Sequence, residues 1–340
     1  MLRSFGIARD LDSRIITQPA SRECCVQVAI IGAGAVGLAV GSCLLEAGEG
    51  VCFVARGGAA ADLRRRGLRR TGIFGVAVAG PEAFEVVESV GALAGHALDL
   101  VLVCTKTTAS REVAGALAAV WGELPGSPRV VVVHNGWGSA EIFAEHLPRE
   151  RVYSARVITG FRRTGPATSD ITVHAEPVRL GSLFDGDLRA MGPLAEALGR
   201  GGLPCEVSAD IARDLWSKVI YNCALNPLGA LYGVPYGVLA EHAVTRSILE
   251  TVVDETFRVI AAAGYETHWA SAADYLRDFY AHILPPTASH ESSMLLDLRA
   301  GRRTEIDALC GAVAALGARH GVAAPINAAL TELIRAAEKR

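Results

Sequence analysis

The sequence predicts an α/β half built on a parallel sheet, followed by an all-α half. Three observations carry the prediction. A glycine-rich turn joins an apolar run to a helical stretch near the start, further short apolar runs spaced as buried strands continue to Val207, and strand patterning then stops from Ala209 to Lys339. At 340 residues the chain is long enough for two cores. Hydrophobic content of 51% and charged content of 20% are those of an ordinary globular protein. A net charge of -3 offers nucleic acid no basic face, and the Arg64–Arg66 cluster reads as a solvated one.

Residues 1–25 lack the apolar core of a signal peptide, and Asp10, Asp12 and Glu23 argue against a transit peptide, so the stretch reads as an extension outside the main fold. Val26–Ile31 is then a buried strand, Gly32-Ala33-Gly34-Ala35-Val36-Gly37 a turn, the residues to Ala47 a helix, and Val51–Ala55 a second strand. This is a βαβ unit of about 30 residues with its GxGxxG in the right place. The first glycine permits the turn, the second lets a pyrophosphate approach, and the third lets helix pack on strand, with the helix N-terminus facing the anion. A bound dinucleotide is expected. At the end of the second strand, where a carboxylate would select NAD, stands Arg56, with no acid before Asp62. A guanidinium suits the 2'-phosphate of NADP(H), with Arg64, Arg65 or Arg66 as secondary contacts.

Asp99–Cys104 and Arg129–Val133 read as further buried strands, ending in Thr105-Lys106 and His134-Asn135-Gly136. Ligands of open parallel sheets bind beyond the carboxyl ends of the strands, which is where Lys106 and Asn135 fall, although Asn135 is equally a turn former and Lys106 equally a solvated loop residue. Residues 151–183 are strand-like without intervening helices and are expected as antiparallel additions to the sheet. A helix over Met191–Gly201 and a strand over Cys205–Val207 complete this part. The expected organisation is an extension over 1–25, an NADP-binding domain over 26–208 and a helical substrate domain over 209–340.

Within the helical part, Asp214–Asn226 reads DLWSKVIYNCALN. Lys218, Asn222 and Asn226 are each one turn apart, so on a helix they drift by only about 40° and share one face. A polar row on an apolar helix needs partners, and a cleft would let the carboxamides hold a small polar ligand while the ammonium delivers a proton. A surface helix that ends at Asn226, before Pro227, is the plainer reading of the same row. From Val219 to Ala240 no charge occurs, but Pro227, Gly229, Gly233, Pro235 and Gly237 break the run too often for a membrane span. A second segment, Ser292 to Asp307, reads SSMLLDLRAGRRTEID: Ser292 or Ser293 suits an N-cap, Gly301 a helix end, and Asp297 and Arg303 read as structural.

The eight cysteines show no CxxC pair and no framework spacing, which suits a reducing cytoplasm, and the nine histidines form no HExxH and no cluster with cysteine, so no metal site is expected. The carboxyl-terminal helices leave room for a homodimer face without a patch that decides it.

Taken together, the glycine turn followed by Arg56, the His134-Asn135-Gly136 turn, the Lys218-to-Pro227 row KxxxNxxxNP and the segment ending in GRRTEID resemble the ketopantoate reductase family, over about residues 26–335. The resemblance implies a Rossmann-type dinucleotide-binding domain and a helical domain like the C-terminal part of 6-phosphogluconate dehydrogenase. It implies NADPH-dependent reduction of a 2-keto acid, ketopantoate to pantoate in the type activity. It makes Lys218 the proton donor and Glu305 a catalytic and binding group in contact with substrate and cofactor. Asn222, Asn226, Ser293 and Asn135 would hold substrate, and Lys106 and Asn135 would lie near the nicotinamide. The chain departs from the family pattern at Val157–Arg163, where bulk and the charges of Arg162 and Arg163 stand, and at Trp137. Those departures keep open a larger or more anionic 2-keto acid, and a non-catalytic NADP(H) sensor is the alternative of a different class.

Overall fold

The structure is a computed structural model and describes residues 14–16 and 25–339. The chain forms two compact units. One gathers the described residues up to Thr105 with Glu112–Val133 and Ala144–Ala209; the other gathers Lys106–Arg111, His134–Phe143 and the described residues from Asp210 onward.

The first unit contains β1 (Arg14–Ile16), β2 (Gln27–Ile31), α1 (Ala35–Glu46), β3 (Gly50–Val54), α2 (Gly58–Arg66), β4 (Leu68–Gly72), β5 (Ala77–Ala79), β6 (Glu85–Val87) and β7 (Leu100–Val103). After α3 (Ser110–Val120) come β8 (Arg129–Val132), α4 (Ser139–Ala144), which falls in the second unit but for its last residue, then β9 (Val152–Arg156), β10 (Thr159–Gly165), β11 (Thr168–His174), β12 (Val178–Gly181), α5 (Gly192–Arg200) and β13 (Cys205–Val207). The main sheet is eight-stranded in the order β13-β12-β9-β8-β7-β2-β3-β6. From β6 to β9 every pairing is parallel. Numbered within that parallel part, the order is 3-2-1-4-5-6, the doubly wound arrangement whose ligand crevice opens where the winding reverses, at the end of β2.

The stretch after β9 departs from the expectation of simple antiparallel additions. Only β12 adds antiparallel, beside β9, and β13 returns parallel to β12. The hairpin β10–β11 leaves for a second sheet of order β1-β5-β4-β11-β10, in which β11 runs parallel to β4. That pairing joins segments about a hundred residues apart, which local periodicity does not encode. Arg14–Ile16, within the stretch expected as an extension, is a strand of this sheet: it pairs with β5 and Ile16 is buried. The remainder of the extension, residues 1–13 and 17–24, lies outside the described residues. Arg70 on β4 is 1% exposed and fastens the second sheet to α1, donating to Glu46 Oε2 at 2.6 Å, to the Cys43 sulfur at 3.1 Å and to the Gly201 carbonyl at 3.1 Å.

The second unit is built around α6 (Ile211–Tyr232), with α7 (Tyr236–Glu241), α8 (Ala243–Ala262), α9 (Ala272–Asp278), α10 (Ser293–Arg299), α11 (Cys310–Arg319) and α12 (Pro325–Ala337). Helices α8, α10 and α12 pack against α6. The helix does not stop at Asn226. It continues through Pro227, which has no N–H for the Cys223 carbonyl one turn back. The Cys310 thiol donates to that carbonyl instead, at 3.6 Å, so the freed oxygen keeps a partner. Buried Glu255 on α8 accepts from the backbone N–H groups of Ile326 at 2.9 Å and Asn327 at 3.0 Å, capping the first turn of α12. No helix among the described residues is long and apolar enough to cross a membrane.

Candidate active site

The first glycine of the turn, Gly32, has φ +108°, and a Cβ there would stand 2.9 Å from the Thr105 nitrogen. A Cβ on Gly37 would meet the Gly32 carbonyl at 2.0 Å. Both positions therefore exclude side chains for internal reasons. Gly34 differs: nothing lies within 4 Å of its would-be Cβ, so its backbone, which caps α1 with no side-chain partner, borders open space. With Ala33, Ala35 and Val36 it forms an uncapped helix N-terminus, the arrangement that receives a pyrophosphate. Arg56, just beyond β3, is 74% exposed and pairs at 2.9 Å with Glu112, itself 64% exposed. Such a pair holds with about 0–1 kcal/mol, so the guanidinium is easily redirected. Arg64 pairs with Glu88, and Arg65 and Arg66 with Asp62.

In the second unit the residues expected to act in catalysis meet on one carboxamide. Gly136 has φ +84°, and a Cβ there would fall 2.1 Å from the Ala308 carbonyl. The Trp137 N–H donates to that same carbonyl at 2.8 Å, and the Trp137 ring stacks on Trp216 of α6 with centroids 4.3 Å apart. This close approach sets Asn135 beside Glu305. Asn135 Nδ2 donates to Glu305 Oε2 at 2.9 Å, and Lys218 Nζ donates to Asn135 Oδ1 at 2.6 Å. An ammonium only donates and a carboxylate only accepts, so the amide has one consistent orientation. The other Glu305 oxygen accepts the Thr107 N–H at 3.0 Å, and the side chain is buried.

A cavity opens next to this chain of contacts, lined by Asn135, Asn226, Ser293, Met294, Asp297, Glu305 and Leu309. Asn226 accepts from the Tyr236 hydroxyl at 2.7 Å through Oδ1, which leaves its NH2 to the cavity. Ser292 is the N-cap of α10, accepting from the Leu295 N–H at 3.0 Å, and so turns exposed Ser293 into the first turn. Lys106 donates to Asp297 at 2.6 Å, and Arg302 holds the second oxygen of that buried carboxylate at 3.0 Å. Burial pushes the neighbouring His134 down to about 4, with the Glu305 carboxylate pulling the other way.

Not every expectation gathers here. Asn222 is buried one turn beyond Lys218 and does not line the cavity. Trp137 belongs to an aromatic cluster with Trp216 and Tyr265, so it takes no cavity volume. Arg162 pairs with Asp170 across the β10–β11 hairpin, Arg163 bonds the Gly165 carbonyl, and both are exposed. Asp297, read from sequence as structural, lines the cavity with Met294 and Leu309. Its spacing of one turn from Ser293 was the available signal. The absence of a cysteine–histidine cluster also does not survive folding: on the main sheet, Cys52, Glu85 and His96 bring one ligand atom each to within 4.8 Å of one another.

Known proteins resemble both halves of the chain. The family described as Ketopantoate reductase PanE/ApbA matches residues 28–183, and its C-terminal counterpart matches residues 210–338. The 2-dehydropantoate 2-reductase of Aquifex aeolicus is 35% identical over 91% of this chain and 96% of its own length. Among solved structures, a PanE/ApbA family ketopantoate reductase from Ralstonia eutropha JMP134 superposes with a TM-score of 0.79 at 29% identity, covering 92% of this chain and 99% of that one. A D-mandelate dehydrogenase solved with NADH and anilino(oxo)acetate does so with 0.81 at 25% identity, over the same shares. With both halves matched, the chain belongs to the ketopantoate reductase family and is an oxidoreductase of a CH–OH/C=O pair.

Proposed function

We propose that this protein reduces 2-dehydropantoate to pantoate with NADPH, using Lys218 as the proton donor. The observation that carries the reading is the chain Lys218–Asn135–Glu305 beside a cavity lined by Asn226 and Ser293. The reaction adds a hydride to C2 of the keto acid and a proton to its oxygen, and NADPH bound along the glycine turn supplies the hydride. The Gly34 backbone accommodates the pyrophosphate, and Arg56 exchanges Glu112 for the 2'-phosphate. Residues 26–208 thus serve the cofactor and residues 209–340 the acid, except that Asn135 joins the acid side.

Lys218 Nζ meets the negative charge that develops on the keto oxygen and releases its proton there. Asn135, held by Glu305, fixes the direction of the ammonium and limits the motion that transfer would otherwise require. Ser293 and the Asn226 NH2 bind the hydroxyl and carboxylate ends of the acid, while Met294 and Leu309 face its two methyl groups. Asn222, one turn from Lys218 on the same helix face, is buried outside the cavity lining. The seven described cysteines are free thiols, which fits a cytoplasmic enzyme.

The test is NADPH absorbance in the presence of 2-dehydropantoate and a panel of bulkier 2-keto acids. Oxidation with 2-dehydropantoate at a kcat/KM well above the rest is expected. Oxidation only with an aromatic or larger acid would move the substrate towards that of the mandelate-type relative, and tight NADPH binding with no turnover on any acid would mean a sensor.

A further inference from the structure

We propose that Cys52, Glu85 and His96 form a site for a zinc-class divalent cation on the main sheet, apart from the reduction chemistry. Cys52 on β3 and Glu85 on β6 are register partners in a parallel ladder, so their side chains leave the same face of the sheet. His96 comes from the loop before β7. Its backbone N–H bonds the Leu93 carbonyl at 2.9 Å, which pins the residue in place. The sulfur, a carboxylate oxygen and a ring nitrogen then lie within 4.8 Å of one another. Tetrahedral zinc, with bonds of about 2.0–2.3 Å, needs ligand atoms about 3.3–3.8 Å apart, a closure that the exposed Glu85 side chain can make by rotation.

The histidine gives the stronger argument. Nδ1 lies 3.1 Å from the Leu93 carbonyl and Nε2 lies 3.2 Å from Glu85 Oε1. Both neighbours are acceptors, and a neutral imidazole has a single N–H. With the Nδ1 edge of the ring on the carbonyl, the Nε2 edge faces the carboxylate across a gap that either a second ring proton or a metal cation fills, and the Cys52 sulfur beside it favours the metal. A ring N–H fixed on a backbone carbonyl with the other nitrogen free is the orientation used by metal-bound histidine.

Thiolate, imidazole and a single carboxylate are a donor set for zinc in preference to calcium or magnesium, which take oxygen ligands. Cys52 is buried while Glu85 and His96 reach solvent, so the ion enters from their side and a water completes four ligands. The thiol releases its proton to solvent as the sulfur–metal bond forms. Since β6 is the last strand of the sheet, the ion would clip an edge strand and the loop at His96 to β3.

The full-length protein, stripped with chelator and dialysed against micromolar zinc, should retain one equivalent, and cobalt in its place should give a thiolate charge-transfer band. His96→Ala, a partly exposed substitution that leaves the fold intact by circular dichroism, should lower zinc affinity at least tenfold. Cys52→Ser should abolish the cobalt band, and neither should alter NADPH oxidation. Absence of bound zinc, or zinc and cobalt binding unchanged in His96→Ala, overturns the site.

Discussion

A carboxamide between an ammonium and a carboxylate is the smallest unit on which the proposed chemistry rests. Asn135 accepts from Lys218 and donates to Glu305, so neither charged group is left in the interior without a partner. Beside it, His134 is held neutral. Its folded value near 4 lies below its ordinary 6.5, so between those values the unfolded chain binds a proton that the folded chain does not. Stability is therefore complete above pH 6.5 and falls as pH drops towards 4, by up to about 3 kcal/mol. Denaturant unfolding at neutral pH and near the lower limit should show this loss, and His134→Gln should remove much of it; an equal loss in both proteins would assign the acid sensitivity elsewhere. Arg56 makes a second prediction at this scale. Because its pair with Glu112 is exposed on both sides, Arg56→Ala should leave melting temperature unchanged and reduce the preference for NADPH over NADH by roughly ten- to a hundredfold, about the loss of one charge-assisted phosphate contact. Unchanged preference would place 2'-phosphate recognition on Arg64, Arg65 or Arg66.

Elements explain which parts of the sequence could be read. The strand–turn–helix over β2 and α1 was legible because glycine spacing and apolar runs are local signals, and the lysine–asparagine row was legible because helical period is local too. Where the helix ends was not. Pro227 reads as a stop until the Cys310 thiol, far along the chain, is known to take the carbonyl that the proline frees. The three glycines of the turn also separate only in three dimensions. Gly34→Ala meets open space in a β-region backbone, so it should leave thermal stability near wild type and weaken NADPH binding at least tenfold. Gly37→Ala drives a methyl into the Gly32 carbonyl and should lower the melting temperature or prevent folding. Equal effects of the two substitutions on stability would contradict the assignment of Gly34 to the ligand.

At the scale of the whole molecule, two things hidden from the sequence are the second sheet and the groups it buries. Arg70 sits in a stretch rich in arginines and reads as one more surface charge, yet it is fully buried between β4 and α1 with Glu46 as its ion partner. Arg70→Ala leaves Glu46 with Arg14 as its remaining cation and the Gly201 carbonyl without its donor, and should cost about 3–5 kcal/mol in unfolding free energy with kcat for the folded fraction preserved. A loss within experimental error would mean that the sheet is held without it. Cys52 is likewise distant in sequence from Glu85 and meets it only through the parallel register of β3 and β6, with His96 brought in from the loop before β7. The same holds for the proposed active site, whose members come from Asn135, α6, α10 and the turn at Glu305. The most direct measurement is therefore steady-state and binding analysis of Lys218→Ala with 2-dehydropantoate. The account predicts a fall in kcat of about 10²- to 10⁴-fold with NADPH affinity close to wild type. Turnover at the wild-type rate would remove Lys218, and with it the Lys218–Asn135–Glu305 chain, from the mechanism.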